Sequence, residues 1–309
     1  MAKEKSKWIS VLKILLILII LSFFLSMIIS LSIGGDFENL DGNVALIEIS
    51  GLIMSKDGNF MFDEVTSADE TIKLIKKANK KDEIKAIIFE INSPGGSAVA
   101  SDEIAREIKK INKTTVAWIR EVGASGGYWI ASSTDYIIAN RMSITGSIGV
   151  IASYLGFSGF LDEHNITYER LVSGNLKDIG SPLKQMTGQE KKLFQKSLDK
   201  IHDFFIEEIA NNRNLKEKEV RKIATGLFYL GSEAKELGLV DELGSKQEVI
   251  DYLEDKIEEE VDIITYKKDK GFFDALSNVI SKNFFFIGKG IGNSFFSQAD
   301  KPQSLSVWA

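Results

Sequence analysis

Cysteine is absent from the chain, and histidine and proline are scarce: His164 and His202 are the only histidines, and there are three prolines in 309 residues. Without cysteine there is no disulfide, no thiolate-held zinc and no cysteine nucleophile. That absence suits either side of a membrane, so it selects no redox compartment. Two histidines give no basis for a histidine-built metal centre. A long basic stripe is missing too; the formal charge is −6, which argues against a nucleic-acid partner. There is no Walker A loop for ATP, and no cofactor or metal is called for.

Hydrophobic length is what the N-terminus does have. Residues 14–33 carry no charge, and a run of about twenty apolar residues matches the hydrocarbon core of a bilayer. Lys3, Lys5, Lys7 and Lys13 precede the run, with Trp8 among them, and Asp36, Glu38 and Asp41 follow it. The positive-inside rule then gives a cytoplasmic N-terminus over 1–13, a transmembrane signal anchor over 14–33 and an extracytoplasmic remainder in the cell membrane. A cleaved signal peptide is the rival reading, but the run is long for one and Ser32-Ile33-Gly34 is a weak cleavage site. A buried core helix would show polar periodicity, which the run lacks apart from serines.

After a polar linker at 34–41, apolar runs at 44–49, 86–91, 115–119, 136–139 and 148–152 read as strands. Patterns of helical spacing occur at 66–80, 101–110, 187–212, 217–224, 232–238 and 246–258. Strands that are continuous apolar runs alternating with helices imply βαβ units and a largely parallel sheet covered on both faces. The expected fold class is therefore α/β, in one domain over 42–260 without internal repeats. The tail, 261–309, contains Phe272, Phe273, Phe284, Phe285, Phe286, Phe295 and Phe296; it could be an interfacial membrane segment, a docking arm or a loose terminus.

Two glycine-rich turns carry the chemistry. Gly123-Ala124-Ser125-Gly126-Gly127 fits Gly-x-Ser-x-Gly, a strand-to-helix turn that exposes a serine nucleophile. If a helix starts there, the free N–H of Gly126 can help hold an oxyanion. By itself the pattern is weak, since many such runs are plain turns. Asn92-Ser93-Pro94-Gly95-Gly96 follows another strand and would face the same carboxyl edge of the sheet, where ligands bind. A tight strand-to-helix turn is the plain alternative.

The base is the missing piece. An α/β-hydrolase triad needs the order serine, acid, histidine. Asp162 and His164 are too close in sequence for separate roles, and His202, between Ile201 and Phe204, reads as a packing or helix-surface residue. A lysine serves if burial lowers its pKa, and serine–lysine pairs are a known variant. Within Ser173-Gly-Asn-Leu-Lys-Asp-Ile-Gly-Ser-Pro182, Lys177 is a candidate, with Lys184 beside it.

Taken together, Asn92-Ser-Pro-Gly-Gly96, Ala124-Ser-Gly-Gly-Tyr128, Ser143-Ile-Thr-Gly-Ser-Ile-Gly-Val150 and Gly174-Asn-Leu-Lys-Asp-Ile-Gly-Ser-Pro182 resemble the signal peptide peptidase A family of serine–lysine peptidases, in its half-length, single-domain form. The likeness spans residues 44–253, and the N-terminal anchor fits it as well. The resemblance implies a Clp protease/crotonase-like stacked βαβ fold. It implies Ser125 as nucleophile, Lys177 as general base and Ser147 as the residue orienting the lysine. Gly95, Gly96 and Gly126 would form the oxyanion hole. It also implies signal peptides and other short or unfolded peptides as substrates, at the membrane. A homo-oligomeric ring is expected, with sites shared between subunits. Two alternatives keep the fold: a crotonase-like acyl-CoA enzyme, which would need neither Ser125 nor Lys177, and a non-enzymatic membrane scaffold.

Overall fold

The computed structural model describes residues 2–33, 42–56 and 65–267. The expected linker at 34–41 and the phenylalanines of the tail lie outside these residues. The chain divides into two units. In the first, helix α1 runs Ala2–Ile33, and the side chains described on it, Trp8 and residues 12–26, are all exposed. Among the described residues no helix is long and apolar enough to cross a membrane. The described side-chain stretch covers about 22 Å at 1.5 Å per residue, against a hydrocarbon core of roughly 30 Å.

The second unit, Asp41–Lys267, is α/β. Its elements are β1 (Val44–Met54), β2 (Val65–Ser67), α2 (Ala68–Lys80), β3 (Ala86–Gly96), α3 (Ala98–Ile108), β4 (Thr114–Ala124), α4 (Gly126–Ser132), β5 (Tyr136–Ala139), β6 (Ile144–Gly146), α5 (Ser158–Glu163), α6 (Gly188–Arg213), α7 (Glu217–Ile223), β7 (Phe228–Leu230), α8 (Gly231–Glu236), β8 (Glu242–Leu243), α9 (Lys246–Ile257) and β9 (Ile263–Tyr266). Strand order is β2-β1-β3-β4-β5-β8, with β9 beside β1 and β6 beside β4. Every described pair is parallel except β6 with β7.

Side chains alternate across this sheet. Ala45, Ile47, Ile49, Ile87, Phe89 and Ile91 pack with α2, α3, α4 and α6, whereas Val44, Leu46, Ala86, Ile88 and Val116 pack with Val249 and Leu253 of α9. Both faces are covered, as the continuous apolar runs require. Helix α6 starts with a capping box, Thr187 and Glu190 each bonding the other's backbone N–H. It ends at Asn214 in the left-handed conformation.

Three sequence expectations change. The central strands do not stop at Ile49, Ile91 and Ile119. β1 and β3 shift register at Ser50/Leu52 and Ile91/Ser93, and β4 exchanges β5 for β6 between Ile119 and Val122. Each strand therefore bends at the same level and continues in shifted register or with a new partner; Gly51 in β1 and Asn92 in β3 relax the ladder there without ending it. The run 148–152 forms no strand. Ile148 is buried and its carbonyl accepts from Gly226 N–H at 3.0 Å, but the chain then turns outward, leaving Ile151 exposed. Finally, β9 lies beyond residue 260 and pairs Val44 with Ile263, which carries the compact unit to Lys267.

Candidate active site

The bent ends of β3 and β4 build the site. β4 closes at Ala124 and α4 opens at Gly126, so Ser125 alone makes the turn, with φ 52° and ψ −122°. A positive φ at a non-glycine residue is costly and persists only when its surroundings hold it. Here the Ser125 N–H donates to the Gly146 carbonyl at 2.8 Å, and its carbonyl accepts from Trp129 N–H at 3.0 Å. Its side chain makes no capping bond to α4. Tyr128, fully buried, donates its hydroxyl to the Leu239 carbonyl at 2.8 Å, and burial pushes its pKa up, so the phenol stays a donor. Trp129 stacks on Phe205 of α6 with ring centroids 4.6 Å apart.

Gly95 lies directly against this turn, with φ +100°. A Cβ there would sit 2.7 Å from Gly126 N and 2.9 Å from the Ser125 Cβ, so only glycine fits. The Gly95 N–H is already used: it donates to Ser93 Oγ at 3.1 Å, and Ser93 Oγ donates to the Gly51 carbonyl at 2.6 Å. Gly126 is the first residue of α4, so its N–H has no acceptor within the helix. The structure thus brings Gly95 and Gly126 to Ser125, with Gly96 next in the chain.

Ser125 and Ser147 line one cavity of about 470 Å³, together with Gly149, Val150, Ile151, Ala224, Thr225 and Gly226. Ser147 also has a positive φ, 50°. Its N–H donates to the Leu227 carbonyl at 3.0 Å and its hydroxyl to the Gly226 carbonyl at 3.2 Å. The remaining wall is one face of α6: Gln195, Leu198, Asp199 and His202. Gln195 Nε2 donates to Asp199 Oδ1 at 2.8 Å. His202 lines the cavity and its Nε2 is buried with no hydrogen-bond partner, which favours the packing side of its reading as a packing or helix-surface residue. The i, i+3, i+4, i+7 spacing puts these four residues on one face, but nothing in the sequence says that this face meets Ser125.

Lys177 is not among the residues lining this cavity. It is exposed, on a turn of a largely exposed arm that runs from Ile151 to the start of α6. Large apolar side chains stand exposed along that arm, Ile151 at 86% and Leu171 at 96%, with Leu155, Phe160 and Ile166. Lys184, the other candidate base, is engaged: its ammonium lies 2.6 Å from Glu190 Oε1 and 3.3 Å from Asp178 Oδ1. Those carboxylates, Glu190 foremost, raise its pKa and hold it protonated, which opposes a role as base. Among the described residues no group of acidic and histidine side chains could hold a metal ion.

Residues 107–261 match peptidase family S49, a stretch that contains Ser125, Ser147 and Lys177 but not Gly95 or Gly96. The chain is 31% identical over 297 residues to a protein of Methanocaldococcus jannaschii provisionally named a protease, covering 93% of this chain and 94% of that one. It is 33% identical over 231 residues to a protein of Enterococcus faecium provisionally named signal peptide peptidase SppA, covering 73% and 67%. The chloroplastic serine protease SPPA of Arabidopsis thaliana is 30% identical over 186 residues, covering 59% of this chain and 28% of that protein.

Proposed function

Because the chain belongs to peptidase family S49, the signal peptide peptidase A family, and is a serine peptidase, we propose that it is a membrane-anchored endopeptidase in which Ser125 is the nucleophile and Lys177 of a neighbouring copy is the general base. One observation carries this reading. The cavity of a single protomer holds Ser125 and Ser147 but not Lys177, which stands exposed on an arm with uncovered apolar side chains. A lysine becomes a neutral base near pH 7 only when it loses water. Contact between copies would cover the arm and bury that ammonium in one step. A ring of identical subunits, each lending its lysine to the next, satisfies both needs. The bend shared by β1, β3 and β4 accords with a Clp protease/crotonase-like stacked βαβ arrangement.

In this mechanism neutral Lys177 takes the Ser125 hydroxyl proton, oriented by Ser147. The alkoxide attacks the peptide carbonyl, and the Gly126 N–H, with Gly96, stabilises the oxyanion. The lysine then returns its proton to the leaving amine, and water releases the acyl group. Remnant signal peptides and other short or unfolded segments at the membrane are the proposed substrates. The uncharged run 14–33, flanked by lysines before and acids after, supports a single-pass anchor with the peptidase domain outside the cytoplasm.

A second reading makes His202 the base. It is favoured by His202 lining the Ser125 cavity with its Nε2 buried and without a hydrogen-bond partner. Three variants separate the two. With Lys177 as base, Ser125→Ala and Lys177→Ala each lower kcat by about a thousandfold or more on a casein or signal-peptide substrate, and His202→Asn stays within about tenfold of the unsubstituted enzyme. An active Lys177→Ala with a dead His202→Asn would reverse the assignment.

A further inference from the structure

We infer that Arg170 and Asp178 are positioning residues for Lys177, forming a clamp across the turn that presents it. The inference rests on Lys177 being the base. The turn itself is thinly held. Lys177 N–H donates to the Gly174 carbonyl at 3.0 Å, Ile179 N–H to Leu176 at 3.1 Å and Ser181 N–H to Asp178 at 3.0 Å. No strand or helix encloses it, and the nearest elements are α5 and α6. A segment of this kind samples many conformations unless something outside it fixes the backbone.

The Arg170 guanidinium does that at two points. Its Nε donates to Asp178 Oδ2 at 2.5 Å and its Nη2 to Asp178 Oδ1 at 2.9 Å; the same Nη2 donates to the Asn175 carbonyl at 3.0 Å. Leu176 and Lys177 are the two residues between the points held. One planar group therefore fixes the chain on both sides of the base, through the bidentate fork that arginine has and lysine lacks.

The clamp is grounded on α6. Asp178 Oδ1 is 3.3 Å from Lys184 Nζ, and Lys184 Nζ is 2.6 Å from Glu190 Oε1. Glu190 Oε2 accepts from Thr187 N–H at 2.7 Å, while Glu190 N–H donates to Thr187 Oγ1 at 3.2 Å. Glu190 is buried. Contacts thus run without a break from both sides of Lys177 to the capping box of a 26-residue helix. The Arg170 and Lys184 cations hold Asp178 well below the usual carboxylate range, so its side of the clamp stays charged through neutral pH. A reacting group displaced by about 1 Å costs on the order of a hundredfold in rate, which is the scale on which the clamp acts.

The test compares Arg170→Ala, Asp178→Asn, Arg170→Lys and the exchanged pair Arg170→Asp/Asp178→Arg, with Lys177→Ala as reference, in the full-length protein. Oligomer size by light scattering accompanies the kinetics. Positioning predicts that Arg170→Ala and Asp178→Asn lower kcat by about ten- to a hundredfold at unchanged KM. The rising limb of the pH–rate profile, which reports the base, should move to higher pH. Arg170→Lys and the exchanged pair should recover part of the rate. Oligomers of normal size with unsubstituted kcat and pH profile in Arg170→Ala and Asp178→Asn, beside an inactive Lys177→Ala, would overturn the clamp and leave the base intact. A loss of rate that follows loss of assembly alone, with the pH limb unmoved, would also overturn it. An active Lys177→Ala would overturn the base assignment first, and the clamp with it.

Discussion

Ser125 stands out in the sequence through the company it keeps: Gly-x-Ser-x-Gly alone is a weak pattern, and the order of the four motifs around it is what marks this serine. What the sequence cannot show is how tightly it is held. The left-handed backbone at Ser125 and the approach of Gly95 are two sides of one packing arrangement. Gly95→Ala should therefore lower kcat about a hundredfold, since the methyl must displace Gly126 N or the Ser125 side chain; steady-state kinetics with a folded-state check by circular dichroism would measure it. Tyr128→Phe probes the other side of the same turn. It leaves the Leu239 carbonyl without its 2.8 Å donor, and should cost about 1–3 kcal/mol in chemical denaturation. The place of His202 in the cavity is not legible in the sequence: periodicity groups it with Gln195, Leu198 and Asp199 but assigns that face no neighbour.

At the scale of elements, the alternating pattern of apolar runs and amphipathic segments was enough to give a parallel α/β sheet, and α2, α6, α7 and α9 lie close to where their periodicity placed them. The strand ends were misjudged because glycine reads as a stop, whereas at Gly51 and Gly95 it permits a bend with pairing continued on the far side. The short strands β7 and β8 owe their pairing to partners distant in sequence, so no local signal marks them. The loop carrying Lys177 gives an element-level prediction about pH. Arg170 holds the Asp178 carboxyl, and Lys184 the Glu190 carboxyl, below their ordinary values. Their stabilising contribution is present above the unfolded carboxylate range near pH 4 and is lost as pH falls through it towards the folded values. Hydrogen exchange should show residues 174–190 losing protection below about pH 4, while the amides of 86–91 in the core stay protected. Uniform loss across both segments would show that these ion pairs do not hold the loop. A further element-level test is Arg213, which is 8% exposed, donates to both Asp241 oxygens at 2.9 and 2.6 Å and ties the end of α6 to the segment before β8. Arg213→Ala strands the partner charge and should destabilise the domain by about 3 kcal/mol.

For the whole molecule, the decisive contrast is between a domain whose core is closed and an arm whose apolar side chains are open to water. Leu171 and Ile151 are nearly fully exposed in a single copy, in the same stretch of chain as Lys177, which the proposed mechanism requires to be buried before it can act. The motif order in the sequence pointed to serine and lysine as partners, but one chain's fold does not place Lys177 in the Ser125 cavity, and no local rule of sequence encodes contact with a second copy. The direct measurement is complementation. Ser125→Ala and Lys177→Ala subunits, each inactive alone, are co-expressed and assembled together. If each site takes its serine from one copy and its lysine from the next, random assembly restores about a quarter of the unsubstituted activity, since half the copies keep each residue. If both residues act within one chain, the mixture stays as inactive as its parts, and the shared site is contradicted.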